Sequence, residues 1–93
     1  MYTIELTATA ELDKKEIDND KSDPGLSKQI KKSLGYLQIN PRHPSLRIHR
    51  YKTENNVWEG YVSDQYRFTF SITESACIFR NIGPHGIIDK GKV

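Results

Sequence analysis

Arginines and histidines interleaved with aromatic rings are the side chains of this 93-residue chain best equipped for chemistry. Arg47, His49 and Tyr51 fall at every second position, Arg67 stands among Tyr66, Phe68 and Phe70, Tyr61 lies just ahead of it, and Arg80 and His85 complete the set. Brought to one sheet face, guanidinium forks match phosphate oxygens, imidazoles move protons and phenol rings stack on unpaired bases. An arginine surrounded by so many rings must send its charge somewhere specific. A set of this kind cuts a phosphodiester without a metal only when the substrate brings its own nucleophile, the 2′-hydroxyl of RNA. The candidate catalytic residues are therefore Arg67, His85 and His49, and the candidate RNA contacts are Arg47, Arg80, Tyr51 and Tyr61. Taken singly, each arginine other than Arg67 reads better as a surface residue or an ion-pair partner of Glu59, and His85, in a turn-rich loop, as a merely exposed side chain.

Other chemistries find less support. His43, His49 and His85 are scattered, with no i, i+4 pair and no companion Cys or Asp at ligand spacing, so neither a metal site nor a cofactor is expected. There is no Gly-rich phosphate loop, nucleophile elbow or paired-carboxylate motif. The one cysteine, Cys77, sits in the apolar run Ala76 to Phe79 and reads as a small buried hydrophobe, without a disulfide partner. No apolar stretch reaches the ~18 residues of a membrane span, and Met1 to Glu5 does not resemble a signal peptide, so a soluble cytoplasmic protein is expected.

The elements that must position these residues can be read from periodicity. Tyr2, Ile4 and Leu6 alternate with Thr3, Glu5 and Thr7 as a first strand. Thr7 or Thr9 can cap a helix over residues 8–17 with a thin stripe of Ala8, Leu12 and Ile17. After the polar turn Asn19 to Gly25, Leu26, Ile30, Leu34 and Leu37 mark a second helix, with Lys28, Lys31 and Lys32 on its polar side. Pro41 and Pro44 stop it. The rest reads as β: Leu46 and Ile48 against Arg47 and His49, a turn at Asn55-Asn56, Trp58 to Val62, a turn at Ser63 to Gln65, Tyr66 to Ile72, a turn at Thr73 to Ser75, and Ala76 to Ile82. The expected fold is α+β in the order β-α-α-β-β-β(-β), an antiparallel sheet with two N-terminal helices on one face and the other face bare. That bare face would hold Arg47, His49, Tyr51, Arg67, Thr69 and Arg80 or Asn81.

Ninety-three residues suit one domain, 1–93, able to bury roughly 60–70% of its unfolded surface. The net charge of +2 conceals an asymmetry. Residues 1–24 carry seven acids against three lysines, whereas residues 25–93 carry eleven basic residues against five acids. The basic part, which also holds the candidate site, suits a polyanion.

In order along the chain, the opening strand and helix from Tyr2, the link Asn40-Pro41-Arg42-His43-Pro44-Ser45-Leu46-Arg47, the pair Trp58-Glu59 to Tyr66-Arg67-Phe68-Thr69-Phe70, and Ile82-Gly83-Pro84-His85 resemble the RelE/ParE superfamily of type II toxins, in its RelE-like mRNA interferase branch. The resemblance spans nearly the whole chain. It implies a small α+β toxin held by a short acidic antitoxin and an endoribonuclease that cleaves mRNA in the ribosomal A site without a metal. It also implies that Arg67 holds the scissile phosphate, that His85 is a general acid, and that Arg80 lies in a stretch often basic in relatives. Two features depart from the family pattern: Trp58, Gly60 and Tyr61 stand where relatives carry lysines or arginines, and no tyrosine follows His85. Arg47, His49 and Tyr51 could substitute. Gyrase inhibition by binding, as in ParE-like relatives, and a non-catalytic interaction module are the alternatives.

Overall fold

A computed structural model describes residues 2–51 and 56–89, apart from the side chains of residues 87 and 89. The order is β1 (Thr3–Leu6), α1 (Ala8–Asn19), α2 (Pro24–Ile39), a 3-10 turn (Pro44–Leu46), β2 (His49–Arg50), β3 (Trp58–Tyr61), β4 (Tyr66–Ile72), β5 (Ala76–Pro84) and α3 (His85–Asp89). The five strands form one sheet in the order β1-β5-β4-β3-β2. Its β2 to β5 part is antiparallel, while β1 runs parallel to β5, a non-local pairing that alternation within β1 does not specify. The α+β fold with both N-terminal helices on one face is as expected.

Polar side chains set the ends of the helices. Thr7 Oγ1 accepts from the Ala10 amide and donates to the Arg80 carbonyl, so one hydroxyl caps α1 and ties it to β5. Asp23 caps α2 through the Leu26 amide, with Pro24 at the first helical position, so α2 begins two residues before its apolar stripe. The stripe of α2 buries Leu26, Ile30, Ser33 and Leu37. On α1 the inward residues are Ala10 and Ile17, and Leu12 is 62% exposed, contrary to the expected stripe. Half-buried Asp13 explains the phase: β1 ends at Leu6, opposite Phe79, and the amide of Ile82 beyond it donates to Asp13 Oδ2 at 3.0 Å. A carboxylate thus completes the edge of β5 where β1 stops.

The helix-side core is built on Phe68, Phe70 and Phe79, with Ile30, Leu37, Leu46 and Cys77 fully buried around them. The rings of Phe68 and Phe79 stack at 4.7 Å. Gly60 is required here, because a Cβ on it would stand 2.5 Å from Phe68 Cζ and 2.6 Å from Ile48 Cδ1. Burial pushes the Cys77 thiol up from its ordinary value, which suits a packing residue rather than a nucleophile.

Two expectations need correction. Residues 46–48 do not form a strand: Pro44 opens a 3-10 turn, His43 Nδ1 caps it from the Ser45 amide, and Arg47 closes it in the left-handed region at φ 49°. Strand pairing is left to His49 and Arg50. Nor is the second sheet face bare. After Pro84 the chain turns back as α3, whose Ile88 packs with Tyr51 and Val57 in a second small core on that side. Of the expected turn at Asn55-Asn56, Asn55 lies outside the described residues, and Asn56 has the positive φ that asparagine tolerates.

Candidate functional site: the polar face of the sheet

Strand register decides which side chains share the second face. Cross-strand partners point the same way, so the pairings His49↔Glu59, Glu59↔Thr69 and Thr69↔Asn81 make one row, and Tyr61↔Arg67 and Arg67↔Gly83 make the next. The rows lie two residues apart, about 7 Å along the strands. Between Thr69 and Phe70 the register shifts, leaving Arg80 as the extra residue of a β-bulge that turns its side chain toward Ser71. Four polar residues on this face, Glu59, Arg67, Thr69 and Asn81, are buried.

Arg67 is 6% exposed, and its charge does go somewhere specific. Nη1 donates to the carbonyls of Ser63 at 2.7 Å and Asp64 at 2.6 Å, with a longer contact to Tyr66, so one nitrogen staples the β3–β4 turn. The guanidinium carbon lies 3.5 Å from the ring centroid of Tyr61, and that of Arg47 lies 5.2 Å from the same ring. Such a contact contributes about 2 kcal/mol when desolvated, as for Arg67, and about 0.5–1 kcal/mol when exposed, as for Arg47. Arg67 Nε and Nη2 make no further hydrogen bond among the described residues. The buried unpaired side-chain atoms there are Trp58 Nε1, Thr69 Oγ1 and Arg80 Nε. Arg67 therefore keeps one two-donor edge uncommitted, the geometry that accepts two oxygens of one anion.

Glu59, weighed above only as an alternative ion-pair partner for an arginine, is paired with His49. Nε2 of His49 lies 3.0 Å from Glu59 Oε1 and Nδ1 lies 3.1 Å from the Arg47 carbonyl. The histidine side chain is 51% exposed and the glutamate side chain 7%. His85 opens α3 and is exposed, and its amide donates to the Gln65 carbonyl at 2.7 Å. That fastens α3 to the same turn that Arg67 staples. Arg67, Tyr61 and His85 thus gather at the β3–β4 turn, with His49 and Glu59 one row away.

The remaining candidates lie differently from the expectation. Tyr51 offers no free ring: it is 8% exposed, packs on Val57 and Ile88, and donates its hydroxyl to the Ile88 carbonyl. Arg80 is half-buried at the bulge, with Nη1 3.4 Å from Ser71 Oγ and Nε unpaired, so it is no open surface cation. Arg47 is exposed, but on the left-handed residue after the 3-10 turn rather than on a strand. His43 stacks on Tyr36 at 4.0 Å and takes no part. A cavity of about 590 Å³ lies on the helix side of the sheet, between residues 41–48 and Trp58, Phe70 and Ile72, and only Arg47 connects its lining to the polar face.

Glu59 was the functional neighbour that sequence reading missed. Its signal was parity: it alternates with Trp58 and Gly60, which places it on the face of Tyr61. Among the described residues, no three His, Cys, Asp or Glu side chains cluster as metal ligands, and no helix is long and apolar enough to cross a membrane.

No protein-family model matches the chain, and no curated protein matches it in sequence. Solved structures do match in fold. A metal-bound toxin from Helicobacter pylori is 22% identical, with a TM-score of 0.75 over 95% of this chain and 99% of that one. A YoeB/ParE toxin from Agrobacterium tumefaciens is 12% identical, with a TM-score of 0.76 over 89% and 98%. The E. coli DinJ-YafQ toxin-antitoxin complex contains a chain 17% identical, with a TM-score of 0.65 over 94% and 96%. The chain therefore shares the fold of these toxins, an α+β domain with one five-stranded sheet and two helices on one face.

Proposed function

We propose that the chain is the toxin of a toxin-antitoxin pair and an endoribonuclease that cleaves mRNA, on the ribosome, with no metal. One observation carries this reading: within that fold, the uncommitted edge of Arg67 and the His49–Glu59 pair lie on one sheet face, in adjacent rows. The chemistry is transesterification. The ribose 2′-oxygen attacks phosphorus as its proton passes to a base, the P–O2′ bond forms, the P–O5′ bond breaks, and O5′ takes a proton from an acid. The products are a 2′,3′-cyclic phosphate and a 5′-hydroxyl. Arg67 Nε and Nη2 hold the two non-bridging oxygens, where negative charge accumulates, and His49 and His85 carry the two proton transfers. Exposed Arg47 neutralises a neighbouring phosphate, and Tyr61, already covered by two guanidiniums, orients them rather than stacking on a base. The polar and basic face also suits a short acidic antitoxin as partner, acting in the cytoplasm.

Controlled expression in a bacterial host tests the reading. Growth arrest with mRNA cut internally, abolished by Arg67→Ala and neutralised by a short acidic partner encoded beside the gene, is the expected result. Arrest with intact transcripts would replace it with inhibition by binding alone, and absence of arrest would leave an interaction module.

A further inference from the structure

The contacts of His49 carry more than its presence on the face. Nδ1 faces the carbonyl of Arg47 at 3.1 Å and Nε2 faces the carboxylate of Glu59 at 3.0 Å. A carbonyl only accepts, and so does an ionised carboxylate. With Glu59 ionised, both contacts are hydrogen bonds only when both ring nitrogens carry hydrogen, the form that pairs an imidazolium with a carboxylate. The two partners differ in kind. Glu59 is a buried carboxyl anchored on the central part of β3, next to Thr69 of β4, whereas the Arg47 carbonyl belongs to an exposed left-handed residue two positions from the histidine. The other charged groups that this side of the sheet presents, among the described residues, are Arg47 from the link before β2, Arg67 from β4 and Arg80 from β5. All three are cations, so Glu59 is the one negative charge placed to hold an imidazolium among them.

We infer that Glu59 is a positioning residue which holds His49 through Nε2, so that Nδ1–H, resting on the Arg47 carbonyl, is the proton delivered to the leaving oxygen. The inference rests on the ribonuclease reading and assigns the two proton transfers within it. RNA displaces the Arg47 carbonyl, and Nδ1–H bonds to O5′. As the P–O5′ bond breaks, its electron pair stays on O5′ and the Nδ1 proton goes there. His49 is left neutral, with its remaining hydrogen on Nε2 still bonded to Glu59. The 2′-hydroxyl proton then falls to His85, and solvent restores both histidines for the next cycle. This reverses the role that family resemblance implies for His85, from acid to base.

Two measurements on the full chain test the assignment. Ring ¹⁵N signals of His49 in the RNA-free protein at neutral pH are expected to show two hydrogen-bearing nitrogens, and Glu59→Gln, with the dispersed spectrum of a folded protein, is expected to leave one nitrogen bare. A bare nitrogen in the unsubstituted protein would overturn the pairing. The second uses an RNA oligonucleotide with sulfur in place of the bridging 5′-oxygen, a leaving group that needs no proton. Glu59→Gln and His49→Gln are expected to slow cleavage of ordinary RNA at least tenfold in kcat with little change in KM, and to cleave the sulfur substrate within a few-fold of the unsubstituted protein. Equal losses on both substrates would overturn the assignment, and so would rescue of His85→Gln in place of His49→Gln. If the unsubstituted protein cuts neither substrate, the ribonuclease reading fails, and the nitrogen signals still decide whether the pair exists.

Discussion

The two faces of the sheet are buried to a similar degree with opposite chemistry. On the helix side Phe68, Phe70, Phe79, Ile30 and Leu37 fill the space with hydrocarbon, and the gap at Gly60 is closed by Phe68 and Ile48. On the α3 side the sheet presents Glu59, Arg67, Thr69 and Asn81, with Thr69 Oγ1 and Arg80 Nε left without partners. Hydrocarbon burial stabilises at about 25 cal/mol per Å², whereas a buried polar group without a partner costs about 1–3 kcal/mol. One face therefore supplies the stability and the other spends part of it. The helix side has one such unpaired atom, Trp58 Nε1, in a mostly apolar lining, whereas the α3 side also buries four polar side chains, and that concentration of polar groups marks it for work.

The contrast can be broken from either direction. Phe68→Ala, at the centre of the apolar face, is expected to lower the unfolding free energy by about 3–5 kcal/mol in a denaturant titration. A loss below about 1 kcal/mol would mean that the helix-side packing is not the main source of stability. Arg67→Lys keeps the charge and removes the fork. We expect RNA cleavage to fall by about 10²–10³-fold, near 3–4 kcal/mol of transition-state stabilisation, with thermal stability much less affected; unchanged cleavage would confine Arg67 to stapling its turn. Thr69→Val replaces an unpaired hydroxyl with a methyl of similar size and is expected to raise stability by about 1 kcal/mol. Loss of stability there would mean that the hydroxyl is satisfied by water.

The smallest effect lies far from both faces. Hydrogen bonds from Lys14 and from Ser27 to Asp18 hold its carboxyl below the ordinary value of 3.8. The folded form has the lower value, so its contribution is full above 3.8 and is lost as the pH falls below 3.8 through the folded value. Because the group is exposed, Asp18→Asn is expected to cost under about 1 kcal/mol near neutral pH and nothing in strong acid. A pH-independent loss in thermal melts would reject that account.

Much of this was readable from parity. The alternation of Tyr66 to Ile72 sends Phe68 and Phe70 to one side and Arg67 and Thr69 to the other, as the register bears out. The cap at Thr7 followed from residue type, whereas Asp23, read as part of a turn, proved to cap the second helix. Local patterning failed where non-local contacts decide. Leu12 fits a helical stripe, yet Asp13 is turned inward because β5 needs an acceptor past the end of β1. Residues 46–49 alternate like a strand, yet Pro44 winds the chain into a 3-10 turn through Leu46, puts Arg47 at positive φ and delays the strand to His49. Tyr51 looked like an exposed stacking ring because nothing in the Gly83 to Ile88 segment announces a helix that returns to cover it. His49 and Glu59 were each visible, and their meeting depended on a hairpin register that composition does not encode.

The central claim is that the polar face cleaves RNA through the substrate's own 2′-hydroxyl. The most direct test incubates the purified protein, in EDTA, with an RNA oligonucleotide carrying a mapped cleavage site and with the same oligonucleotide made 2′-deoxy at that one nucleotide. The account predicts cleavage of the first to a 2′,3′-cyclic phosphate and a 5′-hydroxyl, and none of the second; cleavage of both, or dependence on added metal, would contradict it.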